Sequence, residues 1–328
     1  MSGPVLAFVE HAGGEPDRLS LEALTLARGL ATKLGAPLDA VVLGSAADGV
    51  AGQLGPHGVG LAHVATDARL DDFAPAAWGA AIRTVVAARN PAAVVVAGSE
   101  RSNEVLAHVA ARLGLPMAAN VIEVMPGDAW RLVRQRWAGS LLEDAALDAP
   151  IRLLTVAPHA VAAAPTASSP APTVSRFDPE LEPADLVARV VRREPKESAG
   201  VSLADAKVVV GGGRGVGSAA GFANLEALAS ELGGAVGGSR VVTSLGWRPH
   251  SDQIGQTGLR IAPDLYIACG ISGAIQHIVG CKAAKRILAI NTDPDSPIMA
   301  VADYAVIGDL GSVVPAITAE IERRRAST

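Results

Sequence analysis

The length and composition of the chain indicate an α/β protein with two domains. It has 328 residues, of which 49% are hydrophobic and only 3% aromatic, and this bias suits alternating helices and parallel strands better than an aromatic-rich β-sandwich. A formal net charge of -5 argues against a nucleic-acid-binding surface. Cys269 and Cys281 are the only cysteines, and no metal-ligand spacing surrounds them. This favours a reducing compartment, which we expect to be the bacterial cytoplasm.

The N-terminal stretch gives no sign of a targeting segment. It runs directly into a strand-like sequence, without the basic region or the apolar core of a signal peptide. No apolar run approaches the roughly 18 residues that a membrane span needs. We therefore expect a soluble protein that is not embedded in a membrane.

The first half of the chain alternates short apolar segments with amphipathic ones. The apolar segments predict strands at residues 5–10, 38–43, 61–65 and 92–97. The amphipathic segments predict helices at residues 19–34 and 76–89, and a third helix that begins in the polar loop 98–103 and ends near Leu113. Ser102 or Asn103 could cap that third helix, although a polar loop in this position can also bind a nucleotide phosphate. The alternation predicts a mostly parallel sheet flanked by helices.

The composition then changes to that of a linker. Residues 160–172 are rich in Ala, Pro and Ser without periodicity, and residues 180–199 are charged and punctuated by proline. We therefore predict an N-terminal α/β domain over residues 1–199 that ends in a Pro/Ala-rich linker, and a second domain over residues 200–328.

The second domain also alternates strands and helices. Strands are predicted at residues 208–210, 265–268, 286–290 and 304–307, with a fifth in the short apolar segment after Gly233. Helices are predicted at residues 219–232, 274–284 and 313–323. Five strands with crossovers predict a doubly wound fold that also has a mostly parallel sheet flanked by helices.

Glycine-rich or polar loops follow the strands of this domain. The loop 211–218 contains Arg214, and glycines there would let the backbone approach a phosphate, although they also serve ordinary turns. Arg240 follows the next strand and could be a plain surface residue. The segment 254–258 would by itself pass for a turn.

Two further loops carry polar side chains. Ser272 is a good helix cap after the strand 265–268, but capping does not explain Gln276 and His277 on the first helical turn. Asn291 and Asp309 follow the last two strands, and Asp309 could also cap the final helix. Because the carboxyl ends of parallel strands meet at one edge of the sheet, these groups are expected to face one ligand crevice.

The order of these motifs resembles that of electron transfer flavoprotein alpha subunits. The motifs GGRGVGS, GGSR, IGQTG, GISGAIQH, AINTD, VADY and GDL occur in the family's order and cover about residues 207–325. The N-terminal half agrees more loosely, through VEH at residues 9–11 and RQRWAG at residues 134–139.

The resemblance implies that the C-terminal domain binds FAD. The implied contacts are Arg214, Ser239, Arg240, Ile254, Gly255, Gln256, Thr257, Ser272, Gly273, Ala274, Ile275, Gln276, His277, Asn291, Asp309 and Leu310. It places Arg240 over the flavin ring, Thr257 near flavin N5 and His277 near flavin O2. A cation and a histidine there would stabilise the negative charge that a reduced flavin carries near N1 and O2.

At the other end of the cofactor, the resemblance places Asn291, Asp309 and Leu310 on the ribose and adenine. Two positions depart from patterns common among relatives, and a third stands apart from the site. Ser244 stands where relatives often have Asp and could change the local field near the flavin, and Cys281 stands where many have Met. Cys269 lies on a predicted buried strand, where a free cysteine acts as a small core hydrophobe.

The function implied by the resemblance is that of an electron carrier rather than a classical enzyme. Such a subunit carries electrons on FAD from flavin dehydrogenases to a membrane-associated, quinone-linked oxidoreductase. A beta subunit completes the heterodimer and in many members holds AMP, and the N-terminal domain would dock it. The alternative is an electron-bifurcating, NADH-linked complex whose beta subunit holds a second FAD. A regulatory module without electron transfer is disfavoured by the joint presence of Arg240, Thr257 and His277.

Overall fold

A computed structural model describes residues 3–166, 170–192 and 201–327 of the chain. The chain divides into two compact units, an N-terminal unit over residues 1–194 and a C-terminal unit over residues 195–328. The predicted domain boundary at residues 199 and 200 lies outside the described residues. Within the described ranges, no helix is long and apolar enough to cross a membrane.

The N-terminal unit is an α/β unit built on one large sheet. Its strands are β1 (Val5–Phe8), β2 (His11–Ala12), β3 (Glu15–Pro16), β4 (Leu38–Leu43), β5 (Leu61–Ala65), β6 (Ala93–Ala97), β7 (Met117–Met125), β8 (Trp130–Arg136), β9 (Leu141–Leu147), β10 (Arg152–Val156) and β11 (Thr173–Arg176). Its helices are α1 (Arg18–Leu34), α2 (Ala47–Gly52), α3 (Pro75–Arg89) and α4 (Glu100–Leu113). The sheet has the order β11-β5-β4-β1-β6-β10-β7-β8-β9.

The parallel part of this sheet confirms the predicted fold class. The strands from β11 to β7 pair in parallel, and β1 lies in the middle with all four residues buried. Val5 and Ala7 face one apolar core and Leu6 and Phe8 the other, which explains why this strand is a continuous apolar run. The antiparallel strands β8 and β9 extend the sheet and were not predicted.

The interpretation of residues 160–172 as a linker is wrong for the part that the structure describes. The backbone carbonyl of Ala164 accepts a hydrogen bond from the Arg28 guanidinium at 2.7 Å, and its N–H donates to Thr25 at 3.1 Å. After this segment, β11 pairs with β5 at the edge of the sheet. The residues before and after the segment therefore belong to the same unit. Hydrogen bonds of the segment's own backbone groups attach it to that unit.

Helix α4 is capped by Ser99 rather than by the predicted Ser102 or Asn103. The Ser99 hydroxyl accepts a hydrogen bond from the Ser102 N–H at 2.9 Å, as an N-cap side chain does. The cap lies earlier in the chain than predicted because β6 ends at Ala97 and the chain turns directly after it. The Ser99 and Ser102 hydroxyls both donate to the buried carboxylate of Glu10.

The C-terminal unit has the predicted doubly wound fold. Its strands are β12 (Val208–Gly212), β13 (Ala235–Gly238), β14 (Leu265–Cys269), β15 (Ile287–Asn291) and β16 (Tyr304–Ile307), and its helices are α5 (Phe222–Glu231), α6 (Arg240–Ser244), α7 (Ile275–Cys281) and α8 (Leu310–Ala326). The five strands are all parallel, in the order β13-β12-β14-β15-β16. Helix α5 starts three residues later than predicted because residues 218–221 form turns after Gly217, and α8 is longer than predicted.

Candidate functional site

The site lies at the topological switch point of the C-terminal sheet. From β12 the chain crosses to β13 on one side, whereas β14 leads to β15 on the other side. The loops that follow β12 and β14 therefore diverge at the carboxyl edge of the sheet, where open α/β folds bind their ligands. A cleft of about 840 Å³ opens at this edge, which is large enough for a sizeable cofactor.

Most of the residues predicted to contact the cofactor line this one cleft. They are Arg214, Ser239, Arg240, Ile254, Gly255, Gln256, Thr257, Ser272, Ala274, Gln276, His277 and Asn291. The residues come from five separate segments, which the parallel sheet brings to one edge. Ser244, one of the two residues that depart from the family pattern, also lines the cleft.

Two of the remaining predicted contacts do not line the cleft: Gly273, in the turn before α7, and Ile275, the first residue of α7. Gly273 has a φ of +83° and an added Cβ would lie 2.2 Å from the Ile298 backbone nitrogen, so a close backbone approach requires glycine there. The side chain of Ile275 is 68% exposed. The structure therefore gives Gly273 a packing role.

The other two, Asp309 and Leu310, lie at the start of α8 beside the cleft. Leu310 packs on the cleft residue Gly270, since its Cδ1 lies 2.8 Å from where a Cβ of that glycine would stand. Asp309 occupies the N-cap position, but its side chain makes no capping hydrogen bond. Its backbone carbonyl accepts from the Val313 N–H at 2.9 Å instead. The Asp309 carboxylate is thus not committed to a helix cap.

The glycine-rich segment 211–218, which begins with the last two residues of β12, is needed for packing inside the protein. An added Cβ at Gly211 would lie 2.2 Å from the Tyr266 hydroxyl, and one at Gly212 would lie 2.5 Å from the Phe222 ring. At Gly213 it would lie 2.2 Å from the Gly270 carbonyl oxygen. These three positions therefore exclude any side chain.

The same loop offers less backbone to a phosphate than the sequence suggested. The N–H of Gly213 donates to the Cys269 carbonyl at 2.9 Å, and that of Gly215 donates to the Gly270 carbonyl at 3.1 Å. The N–H groups of Val216 and Gly217 bond within the loop. Arg214 is exposed, lines the cleft, and forms no ion pair with the described residues, so its side chain is the group best able to meet an anion.

Gln253 is a cleft residue that the sequence analysis missed. Its side chain is buried and bridges two hydroxyls: Thr243 Oγ1 donates to its Oε1 at 2.8 Å, and its Nε2 donates to Thr257 Oγ1 at 2.9 Å. This bridge fixes Thr257 and leaves the hydroxyl hydrogen of Thr257 free to donate elsewhere. The position of Gln253, directly before the IGQTG motif, was the available signal.

His277 is buried and electrically neutral near neutral pH. Its Nε2 lies 2.7 Å from the hydroxyl of Tyr266, which is fully buried in β14. Burial lowers the pKa of His277 to about 4, and the backbone of Ile254 opposes this only in part. His277 therefore brings no positive charge to the cleft near neutral pH, whereas Arg214 and Arg240, which line the same cleft, are cations.

The two cysteines are free and buried in the core of the C-terminal unit. Burial raises the pKa of the Cys269 thiol and of the Cys281 thiol to about 12, so both are protonated near neutral pH. Among the described residues, no cluster of His, Cys, Asp and Glu is arranged to hold a metal ion. Both cysteines act as small apolar core residues.

The donor set of the cleft fits a nucleotide cofactor. Arg214 and Arg240 are exposed cations without an ion pair among the described residues, and Nδ1 of His277 is buried without a hydrogen bond of normal geometry. An acceptor-rich ring system with phosphates would satisfy all three groups. The fold and the site together define a nucleotide-cofactor-binding protein of the doubly wound class.

Comparison with known proteins specifies the class further. Residues 5–182 match the family described as electron transfer flavoprotein domain, and residues 202–282 match the electron transfer flavoprotein FAD-binding domain. The chain belongs to the electron transfer flavoprotein alpha-subunit family, and its C-terminal unit is a flavin-binding domain.

Three curated relatives match along nearly the whole chain. The chain is 37% identical to the electron transfer flavoprotein subunit alpha of Mycobacterium leprae, over 98% of each chain. It is 33% identical to the subunit alpha of Bacillus subtilis, again over 98% of each chain. It is 36% identical to protein FixB of Clostridium saccharobutylicum, over 96% of this chain and 95% of the relative.

Proposed function

We propose that this chain is the alpha subunit of a heterodimeric electron carrier. It takes electrons on FAD from flavin dehydrogenases and delivers them to a membrane-associated, quinone-linked oxidoreductase, and it works in the bacterial cytoplasm. The observation that supports the proposal is that Arg240, Thr257 and His277 line one cleft at the switch point of the sheet. The resemblance assigns these three residues to the flavin ring.

The side chains of the cleft bind and tune the cofactor. FAD, when bound, supplies the redox chemistry. The guanidinium of Arg240 is exposed at the start of α6 and provides positive charge and several donors for the ring. Thr257, which Gln253 holds in place, presents a hydroxyl hydrogen. His277 provides a neutral imidazole in a buried position.

We assign a second set of side chains to the phosphates and the adenosine. Arg214 lies in the loop after β12 and lines the cleft. Asn291 is held at the end of β15, because its Nδ2 donates to the Ile271 carbonyl at 3.1 Å and its Oδ1 accepts from the Asp293 N–H at 3.2 Å. Asp309 keeps its carboxylate available for a sugar hydroxyl or the adenine amino group.

The N-terminal unit offers an apolar surface to a partner. Trp137, between β8 and β9, is 80% exposed, and Leu141 and Leu142 on the following strand are also exposed. Neighbouring exposed apolar side chains of this size are typical of protein-protein contacts. A beta subunit that holds AMP is the partner we propose, with the N-terminal unit as its docking platform.

Purification with the beta subunit tests the proposed function. We expect a yellow one-to-one heterodimer that contains one FAD per pair, measured by flavin absorbance against protein concentration. Two flavins per pair would instead indicate an electron-bifurcating complex. A colourless monomer that takes up no FAD in the presence of the partner would contradict both.

Replacement of Arg240 tests the electrostatic role of the cleft. Arg240→Ala is expected to lower the flavin potential, because the guanidinium stabilises negative charge on the reduced ring by about 1–3 kcal/mol. Arg240→Lys should lower it less, and Arg323→Ala serves as the control because Arg323 is exposed on α8, where it pairs with Glu320. The measurement is a spectroelectrochemical titration of each FAD-loaded variant. An unchanged potential in Arg240→Ala would show that Arg240 is only a surface residue.

A further inference from the structure

We propose that Tyr266 is a positioning residue that sets the tautomer of His277: its hydroxyl donates to Nε2, so the imidazole proton lies on Nδ1. The inference rests on the proposed function, since it assigns the Nδ1–H group as a donor to the bound flavin. The two side chains are both buried, on β14 and α7, and the hydroxyl oxygen lies 2.7 Å from Nε2. Their ring centroids are 6.0 Å apart.

The direction of this hydrogen bond follows from the surroundings of both groups. Burial raises the pKa of Tyr266 well above its ordinary value, so the phenol keeps its proton. His277 is the hydrogen-bond partner of this hydroxyl among the described residues. If Nε2 carried the proton and donated it, the buried phenol hydrogen would be left without an acceptor, which is costly.

The other ring nitrogen has no competing partner in the part of the chain that the structure describes. Nδ1 is buried, and no hydrogen bond of normal geometry reaches it from the described residues. With the Tyr266 hydroxyl donating to Nε2, the proton on Nδ1 is left as an unsatisfied donor.

Glycine at position 211 makes room for the arrangement. An added Cβ at Gly211 would lie 2.2 Å from the Tyr266 hydroxyl and 2.7 Å from its ring. The hydroxyl thus occupies the space that the side chain of any other residue at position 211 would fill. Gly211, in β12, therefore leaves room for the phenol to reach His277.

The consequence concerns what the cofactor encounters. His277 lines the cleft, and a flavin carbonyl oxygen accepts hydrogen bonds. A donor on Nδ1 suits such an oxygen, whereas the other tautomer would present a lone pair to it. Tyr266 therefore acts on the flavin through His277, without needing to touch it.

Nitrogen-15 NMR of His277 tests the tautomer directly. In the FAD-loaded wild-type complex we expect Nδ1 at the chemical shift of a protonated ring nitrogen and Nε2 at that of an unprotonated one. Tyr266→Phe should give a mixture of tautomers and raise the dissociation constant of FAD about 2- to 10-fold, the range for one net hydrogen bond. It should also shift the flavin potential, which a purely structural role for Tyr266 would not do.

Matched variants separate the possible outcomes. Tyr304→Phe removes the other tyrosine of the chain, which is exposed on β16, and should change neither the tautomer nor FAD binding. In a His277→Gln background, Tyr266→Phe should have no further effect on the potential. A proton on Nε2 in the wild-type spectrum, or an unmixed Nδ1–H tautomer in Tyr266→Phe, would overturn the proposal. The same spectrum of wild-type protein without FAD tests the tautomer apart from the cofactor. A proton on Nδ1 there supports this inference even if the proposed function fails, and a proton on Nε2 contradicts it whatever the function.

Discussion

Replacing Gly213 by alanine is expected to destabilise the C-terminal unit by about 3 kcal/mol and to deplete it of FAD. An added Cβ would lie 2.2 Å from the Gly270 carbonyl oxygen and 2.8 Å from the Ile271 Cα, and both are backbone atoms that cannot turn away. The φ of Gly213 is -107°, which any residue can adopt, so the cost comes from crowding alone. Relief would require the ends of β12 and β14 to separate, at the expense of the bond from the Gly213 N–H to the Cys269 carbonyl.

Urea unfolding and the flavin content of the purified protein measure the two effects. Gly233→Ala is the control in the same unit, because its φ of +61° is strained for alanine but its surroundings are open. That variant should lose only about 1 kcal/mol. Gly29→Ala, on the exposed side of α1, should be neutral or slightly stabilising. A Gly213→Ala variant no less stable than Gly233→Ala would contradict the crowding argument.

The fold was predictable where strands are buried on both faces. Such strands are continuous apolar runs that end at glycine or polar residues, as in β6 and β14, and so the parallel parts of both sheets could be located. The strands β7 to β9, which pair with one another in antiparallel fashion, are buried only in part and carry charged side chains. Arg134 on β8, for example, pairs with Glu143 on β9, and no single-segment pattern shows such cross-strand pairing.

The linker error has a related physical cause. Residues 160–166 have few side chains that could pack in a core, and composition alone therefore resembles a flexible connection. Their attachment instead depends on backbone groups, such as the bond from the Thr166 N–H to the Pro56 carbonyl at 2.6 Å. Backbone hydrogen bonds between distant segments leave no signature in the local sequence.

The cleft could be predicted from strand ends, whereas its supporting residues could not. Polar residues after parallel strands must face one edge, which brought together Arg240, Thr257 and His277. Tyr266 lies inside a buried strand, where an aromatic residue normally indicates packing, and only the distance to His277 reveals its second role. The bridge made by Gln253 likewise depends on the fold of the loop around it.

The neutral state of His277 predicts a loss of stability in mild acid. Its pKa is about 4 in the folded protein and about 6.5 in an unfolded chain. Between these values the unfolded state binds a proton that the folded state does not. The contribution of His277 to the free energy of unfolding is therefore fully present above about pH 6.5 and decreases as the pH falls towards about 4. From about pH 7.5 to about pH 5 this amounts to about 2 kcal/mol.

Urea unfolding of the FAD-loaded protein at these two pH values measures the loss. His277→Gln should remove the contribution of His277, because a glutamine can accept the Tyr266 hydrogen bond but does not titrate, whereas His57, whose pKa is also lowered by burial and by Arg28, keeps its own contribution. His250→Gln removes an exposed histidine of the same unit and should keep the dependence. The ion-paired carboxylates do not account for a loss of stability in this pH range. Hydrogen bonds and neighbouring arginines hold the pKa values of Asp303 and Glu320 below their ordinary range. Equal pH dependence in His277→Gln and wild type would show that folding does not lower the pKa of His277, and the imidazole would then become charged beside Arg240 in mild acid.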